Sequence, residues 1–443
     1  MSDVIVEADY LLTCNLTNAV IKDGAVYVVG DRIKAIGSRK DIHKDFSANV
    51  VIEGLNKILV PGLVNTHSHS VQTLLRGKAD DLALIDWLQK VILPGEISFT
   101  VDEVYTSSLL GFAEMIRTGT TTCNDMLTTN HSDYGIQAAI DSGIRTRIGR
   151  MLMDVNNGFP DDMIEHTEKI VEDVIKDIGD YHQTQKNRIK YSLNARFLLS
   201  CSPQLMKKLS EIQRNYPDIM IHTHASENRE ECAQVERYYG KSYIRALNEL
   251  DVLGNQTIIA HGIWLDDVEY SLIEQTDTRI THNPSSNSKL ASGICDVSKY
   301  LDMDVIVGLG TDGAPCNNNL DMFREMRLAS FLQKIKHLDE RVLPSKVVLK
   351  MATIEGAKAL NLDKEIGSLE IGKKADLFQV DISDVNCIPL YDPISHLVYS
   401  ASGKDVNMVM IDGKILFKDN QFTIIDLQNL REKATLYQNR WNE

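Results

Sequence analysis

Between residues 61 and 364, short apolar strand-like runs alternate with amphipathic helical stretches, and polar residues cluster at the C-terminal ends of the runs. The runs are ILVPGLVNTH, TRIGRML, IKYSLNARF, IMIHTHA, TIIAHG, RITHNP and VIVGLGTD. So many β/α units in one stretch suit a closed (β/α)8 TIM barrel, an α/β fold, better than an open sheet. Segment 161–180 shows the helical period: Ile164, Val171, Val174, Ile175 and Ile178 fall at helical spacing among acidic residues, predicting a helix there. A barrel of this kind builds its active site from the C-terminal ends of its strands, which is where the polar residues lie.

The two chain ends read differently. VIVEADYLLT, AVYVV and RIKAIG are short strands, the last two joined at Gly30-Asp31, and near the C-terminus VNMVMI and KILFK flank Asp412-Gly413. Both dipeptides suit tight hairpins. Residues 1–60 and 365–443 are therefore expected to form one small β-sandwich domain beside a barrel of residues 61–364.

With 47 Lys+Arg against 62 Asp+Glu, the 443-residue chain carries a formal charge of −15. An acidic surface repels nucleic acid and anionic membranes, although a local basic pocket escapes that argument, and a small molecule becomes the expected partner. At 43% hydrophobic and 25% charged, disordered and fibrous classes are excluded. The cysteines, seven in number, are scattered and contain no C-x-x-C pair, so neither a disulfide framework nor a thiolate zinc site fits. MSDVIVEADY lacks the basic and apolar regions of a secretory signal, and no apolar run approaches the roughly 18 residues of a membrane span. A cytoplasmic location is expected.

In GLVNTHSHS, His67 and His69 are two apart, so on a strand both imidazoles project from one face and can grip one ion. His224 closes a second strand in IHTHASE, with Glu227 three residues later; His261 ends a third in IIAHG, and Asp312 a fourth in IVGLGTDG. Three or four nitrogen ligands and a carboxylate thus gather at separate strand ends, with a further carboxylate free to act as a base. Gly308, Gly310 and Gly313 satisfy G-x-G-x-x-G, but Asp312 inside that loop would repel a phosphate. His222, two before His224, reads as a hydrogen-bonded core histidine, His282 as support near the site, and Cys201 as a packing residue.

The ordered set PGLVNTHSH, HTHASE, AHG, HNPSSNSKLASG and GTDG resembles the amidohydrolase superfamily, in its cytosine-deaminase-like branch of purine, nucleoside and triazine hydrolases. The resemblance runs almost end to end and includes IGSLEIGKKADL near the C-terminus. It implies that His67, His69, His224 and Asp312 hold one divalent metal per subunit, zinc or alternatively ferrous iron. It further implies that Glu227 shuttles protons, that His261 stands beside the reacting water, and that Asp312 takes part in the proton relay. Zinc lowers the pKa of a bound water to about 7, which supplies a nucleophile at neutral pH. Binuclear members commonly place a carboxylated lysine at the end of strand four, where YSLNARFLLSC has none, so a single ion is expected. Family members are often homo-oligomers, and this chain is expected to be one.

The substrate motifs point two ways. Gln72, three residues after His69, can offer an amide to a heterocycle edge, Trp87 can form an aromatic wall, and Glu96 resembles the acid that binds ribose hydroxyls in methylthioadenosine and S-adenosylhomocysteine deaminases. Arg196 instead stands where those enzymes carry histidine, and Arg196-Phe197 with Gln72 resembles the base-reading set of guanine deaminase. The blocks QTLLRGKADDLALIDWL, HASENREE and GTDGAPCNNNLDMFREMRLAS resemble 5′-deoxyadenosine and methylthioadenosine deaminases and triazine hydrolases. Deamination of an adenine nucleoside is the preferred expectation. A guanine, other aminopurine or pterin base deaminase, an s-triazine aminohydrolase or chlorohydrolase, and a non-catalytic scaffold are the alternatives.

Overall fold

The computed structural model describes residues 3–78 and 80–440. Eight parallel strands close a barrel: β1 Leu63–His69, β2 Thr120–Met126, β3 Arg145–Gly149, β4 Ile189–Ala195, β5 Met220–Ala225, β6 Thr257–His261, β7 Arg279–His282 and β8 Val307–Leu309. Each pairs with the next in chain order, and β8 returns to β1 through Leu309 opposite Asn65. A two-residue strand, Asp312–Gly313, extends the β8 side of the seam by pairing with Ser68 and His69. Every residue of β1 and β2 is buried, as befits parallel strands covered by helices outside and side chains inside.

The helices turn one apolar face to this barrel. In Thr167–Tyr181, Ile170, Val174 and Ile178 are buried at four-residue spacing. Ile164 lies before the helix, which starts after His166, and Ile175 points outward at 45% exposure. The predicted helix is real, but its buried face is turned from the one read by counting apolar residues, because Ile170 and not Ile175 completes the inward stripe.

The terminal strands join in one nine-stranded sheet. Its central members are Lys57–Pro61, immediately before β1, and Leu377–Asp381, which pair antiparallel and bring the two ends of the chain together. The predicted hairpins form as expected, Val29 pairing with Arg32 and Ile411 with Lys414. Gly30, Asp412 and Gly413 take the positive φ that these tight turns require. Val6, Val26, Leu59, Leu377, Met408 and Met410 share the core beneath the sheet. The C-terminal segment also supplies two helices, Pro393–Tyr399 and Leu427–Arg440, which lie against outer helices of the barrel.

A buried ion-pair cluster fastens the terminal sheet to the barrel. Arg145, at the start of β3, donates from Nε to Asp376 at 2.7 Å and also reaches Asp412. The Asp412 backbone N–H in turn donates to Asp376 at 2.8 Å. Removing one member strands a buried carboxylate. Arg145→Ala is expected to cost about 3–5 kcal/mol of stability, read as a lower urea midpoint with metal content per folded chain unchanged.

Candidate metal centre and catalytic site

Four ligand atoms, one each from His67, His69, His224 and Asp312, lie within 4.8 Å of one another at the C-terminal mouth of the barrel. His67 and His69 come from the end of β1, His224 from the penultimate position of β5, and Asp312 from the strand beyond β8. His67 Nε2 stands 3.3 Å from Asp312 Oδ1, His69 Nε2 is 3.5 Å from the same oxygen, and His69 and His224 face each other through Nε2 at 3.2 Å.

The other nitrogen of each ring decides what these atoms can do. His69 Nδ1 donates to the Met126 carbonyl at 3.0 Å and His224 Nδ1 to the Arg196 carbonyl at 2.6 Å. A carbonyl can only accept, so both Nδ1 atoms carry the proton and both Nε2 atoms carry lone pairs. His67 Nδ1 lies 2.7 Å from His222 Nε2, which plays the part of the carbonyl, while His67 Nε2 is buried, faces Asp312 and makes no hydrogen bond. Burial drives His69 down to about 3 and pushes His67 and His224 below the usual range, with neighbouring imidazoles adding to the shift at His69 and His224. Burial works against charge at Asp312, and positive charge at the His67–His69 position holds its carboxyl well below the usual range, a charge that a bound cation supplies where the neutral rings do not. Neutral lone pairs converging with a carboxylate in a buried space repel one another unless a cation lies among them. The His69–His224 separation is close to the roughly 3.3–3.4 Å between two nitrogens of a tetrahedral zinc site. The residues therefore fit a divalent metal.

Around this cluster stand the proposed proton carriers. His261 donates from Nδ1 to Asn287 Oδ1 at 2.8 Å, leaving Nε2 3.5 Å from Glu227 Oε2 and 3.9 Å from Asp312 Oδ2. Burial lowers its pKa, but Glu227 and Asp312 outweigh that and leave it raised. Burial raises the Glu227 carboxyl, against the pull of His261, and Ser292 Oγ donates to its Oε1 at 3.2 Å. Ser226, His261 and Asp312 all have positive φ, a conformation that side chains adopt reluctantly and that clusters at functional sites.

Several supporting residues were not anticipated. Glu231 Oε2 accepts the backbone N–H of Glu227 at 3.0 Å and of Asn228 at 3.2 Å, closing a capping box on Arg229–Tyr239. Asparagine with glutamate three residues on was the available signal in HASENREE. Burial pushes Glu231 up to about 7, with Glu227 adding to it. Asp125, raised to about 6 by burial, accepts from the Ser68 and Ser70 hydroxyls that flank His69. Glu325, raised to about 7, accepts from Ser285 and Asn317, and the neighbouring Ser286 hydroxyl donates to Asp312 at 2.7 Å.

Of the residues expected to meet substrate, Gln72, Trp87, Arg196 and Phe197 line the cavity over the metal ligands. Glu96 stands behind that wall. It is 1% exposed and its Oε1 accepts from Gln72 Nε2 at 2.7 Å, while Gln72 Oε1 is buried without a partner and the Thr128 hydroxyl stands beside the Glu96 carboxyl. His222 is the hydrogen-bonded core histidine expected, whereas His282 is fully buried and neither of its ring nitrogens is hydrogen-bonded. The glycines of G-x-G-x-x-G serve close approach: a Cβ on Gly310 would lie 2.4 Å from Asn283 Oδ1, and one on Gly313 2.2 Å from Gln72 Oε1. Cys201 is buried, pushed up to about 12 and donates to the Leu152 carbonyl, so it is no nucleophile.

Residues 58–416 match the Amidohydrolase family. The chain is 39% identical to the 5′-deoxyadenosine deaminase of Methanothermobacter thermautotrophicus, over 94% of each chain. It is 36% identical to 5-methylthioadenosine/S-adenosylhomocysteine deaminase 1 of Syntrophus aciditrophicus, over 95% of this chain and 93% of the other. Among solved structures, an adenosine deaminase from Xanthomonas campestris with bound zinc superposes with a TM-score of 0.94 at 30% identity, covering 99% of this chain and 98% of that one.

Glu231 ties down the backbone that aims Glu227. Glu231→Ala is expected to lower kcat about a hundredfold, the scale of a misplaced catalytic group, with metal content intact. Glu231→Gln keeps an acceptor oxygen for both N–H groups, and its kcat should stay within a few-fold of the parent.

Proposed function

The chain belongs to the amidohydrolase family, and from that premise we propose that it deaminates an adenine nucleoside of the 5′-deoxyadenosine, methylthioadenosine or S-adenosylhomocysteine type to the inosine analogue and ammonia. One observation carries the reading: Glu227 and His261, 3.5 Å apart, border a buried cluster of three imidazoles and a carboxylate, in a chain alike over nearly its whole length to deaminases of such nucleosides.

His67, His69, His224 and Asp312 would hold one divalent ion, with zinc preferred and ferrous iron the alternative. When bound, such an ion acts as a Lewis acid and makes water nucleophilic at neutral pH. Glu227 takes a proton from the attacking water and delivers it to the purine ring nitrogen beside the amino-bearing carbon. Its raised pKa suits a carboxyl that must hold that proton between the two transfers. His261, fixed by Asn287, presents Nε2 to the attacking oxygen, and Asp312 takes the second proton and returns it to the leaving amine. A C–O bond forms, the C–N bond breaks, ammonia departs and a carbonyl remains.

The space left over the ligands is about 30 Å³, room for a water or two. Leu84, Trp87 and Leu88 form part of its cover, so helical segment 84–98, which also carries Glu96, must swing outward to admit a nucleoside. One observation favours a second reading, a free aminopurine such as guanine. Arg196 and Phe197 are on the cavity wall, whereas Glu96 is behind Gln72. The same proposal has the enzyme act as a homo-oligomer in the cytoplasm. The cysteines are all unpaired, which suits a reducing compartment, and no described helix is long and apolar enough to cross a membrane.

Glu227→Gln should keep its metal and lose about 10²–10⁴-fold in kcat; near-parental turnover would remove Glu227 from the proton path. Ammonia release from 5′-deoxyadenosine, methylthioadenosine, S-adenosylhomocysteine, adenosine, adenine and guanine tests the substrate. The 5′-modified nucleosides should give the highest kcat/KM, and Glu96→Ala should weaken them while sparing free bases. A preference for guanine would replace the nucleoside reading with the second one.

A further inference from the structure

Arg117, Arg324, Lys404 and Arg431 line one cleft of about 750 Å³ where the terminal sheet meets the outer helices of the barrel. They come from four separate elements: the last residue of helix Val101–Arg117, the first turn of Met322–His337, the short turn Gly403–Asp405, and Leu427–Arg440. None of the four makes an ion pair within 4 Å among the described residues, although the chain as a whole carries −15. The carboxylates in the cleft hold main-chain groups or Arg76, although Asp321 also feels the charge of Arg324. Glu114 pairs with Arg76 and accepts from the Leu320 N–H, and Asp321 accepts from the Phe323 and Gly403 N–H groups.

Unpaired cations brought together from distant parts of the chain repel one another, and an acidic protein has no need of them for solubility. The cleft is not wholly polar. Phe417 and Phe422 meet edge to face at 5.2 Å, and the Arg117 guanidinium lies 5.2 Å from the Phe417 ring centroid while donating to the Gly403 carbonyl. Cationic side chains beside an aromatic, apolar floor suit a ligand with a multiply charged end and a flat or apolar end.

We propose that this cleft is a second binding site, for a phosphorylated small molecule of the nucleoside diphosphate class, its phosphates on Arg324, Lys404 and Arg431 and its base towards the half-buried Phe422 and Leu427, with Phe417 buried beneath them. The site is distinct from the metal centre in elements and residues. It has a physical link to it through Met322–His337, where Arg324 faces the cleft and the next residue, Glu325, holds Ser285 and Asn317 beside the Asp312 loop.

Isothermal titration of the metal-loaded enzyme with uridine diphosphate, whose pyrimidine is not the proposed purine substrate, tests this. Saturable binding of one molecule per chain is expected, weakened at least tenfold by raising salt from 0.05 to 0.5 M and at least tenfold in Lys404→Ala/Arg431→Ala. The double variant should deaminate its nucleoside at the parental rate and keep the parental melting temperature, which separates a lost site from a lost fold. Absence of saturable binding, equal affinity in parent and variant, or uridine binding as tightly as its diphosphate would each overturn the proposal.

Discussion

The rest of the site depends on a requirement that three imidazole lone pairs converge in a buried space, which holds only if the opposite nitrogen of each ring is tied to an acceptor. His69, on the first barrel strand, uses the carbonyl of Met126 at the end of the second. His224, on the fifth, uses the carbonyl of Arg196 just beyond the fourth. A strand-end carbonyl has two lone pairs, and that of Arg196 accepts both the His224 N–H and the His224 ring, so the closed sheet supplies ligand and anchor from neighbouring strands. His67 lies deeper and finds His222 instead. Register is therefore inseparable from chemistry: slipping a strand by one residue would turn its ligand to the other face and leave its anchor without a partner.

A ring of buried acids holds the loops that carry these groups. Asp125, Glu231 and Glu325 each accept a main-chain N–H together with a hydroxyl or a second N–H near a ligand or proton carrier. Their carboxyls are raised by burial, so each position gives up part of the favourable hydration of a free carboxylate. What that offsets is loop freedom beside Ser226 and Asp312, two residues with positive φ whose neighbours or side chains must be aimed within a fraction of an ångström.

The convergence of His67, His69, His224 and Asp312 was legible from local facts, namely residue type, the two-residue spacing in His67-Ser68-His69 and position at the end of an apolar run, with the family resemblance separating these four from His261. The hairpins were legible for the same reason, since Gly30-Asp31 and Asp412-Gly413 carry their own turn geometry. Features set by contacts across the chain were not. Asp376 and Asp412 meet Arg145 from more than two hundred residues away, and Glu325 reaches Ser285 from forty. The buried face of Thr167–Tyr181 depends on which side the barrel lies, which the count of apolar residues does not say. Glu96 was read as a ribose-binding residue from its likeness to the acid of methylthioadenosine deaminases, but its depth depends on how segment 84–98 folds over the barrel mouth.

The substrate wall carries its own hydrogen-bond demand. Gln72 spends its Nε2 on Glu96, which leaves Gln72 Oε1 as a buried acceptor without a donor, while the Thr128 hydroxyl stands beside the Glu96 carboxyl. An unsatisfied buried group costs about 1–3 kcal/mol, so this side of the site calls for a ligand rich in donors. Arg196, on the wall of the same cavity, is buried with only donors to offer; its own burial lowers it and the Glu96 charge opposes that. A molecule with hydroxyl or N–H donors at one end and ring-nitrogen or carbonyl acceptors at the other meets both demands. A purine nucleoside does so with its ribose diol and ring nitrogens, and guanine with its N–H groups and O6. The two readings therefore differ in whether segment 84–98 opens far enough for a diol to reach the Glu96 carboxylate.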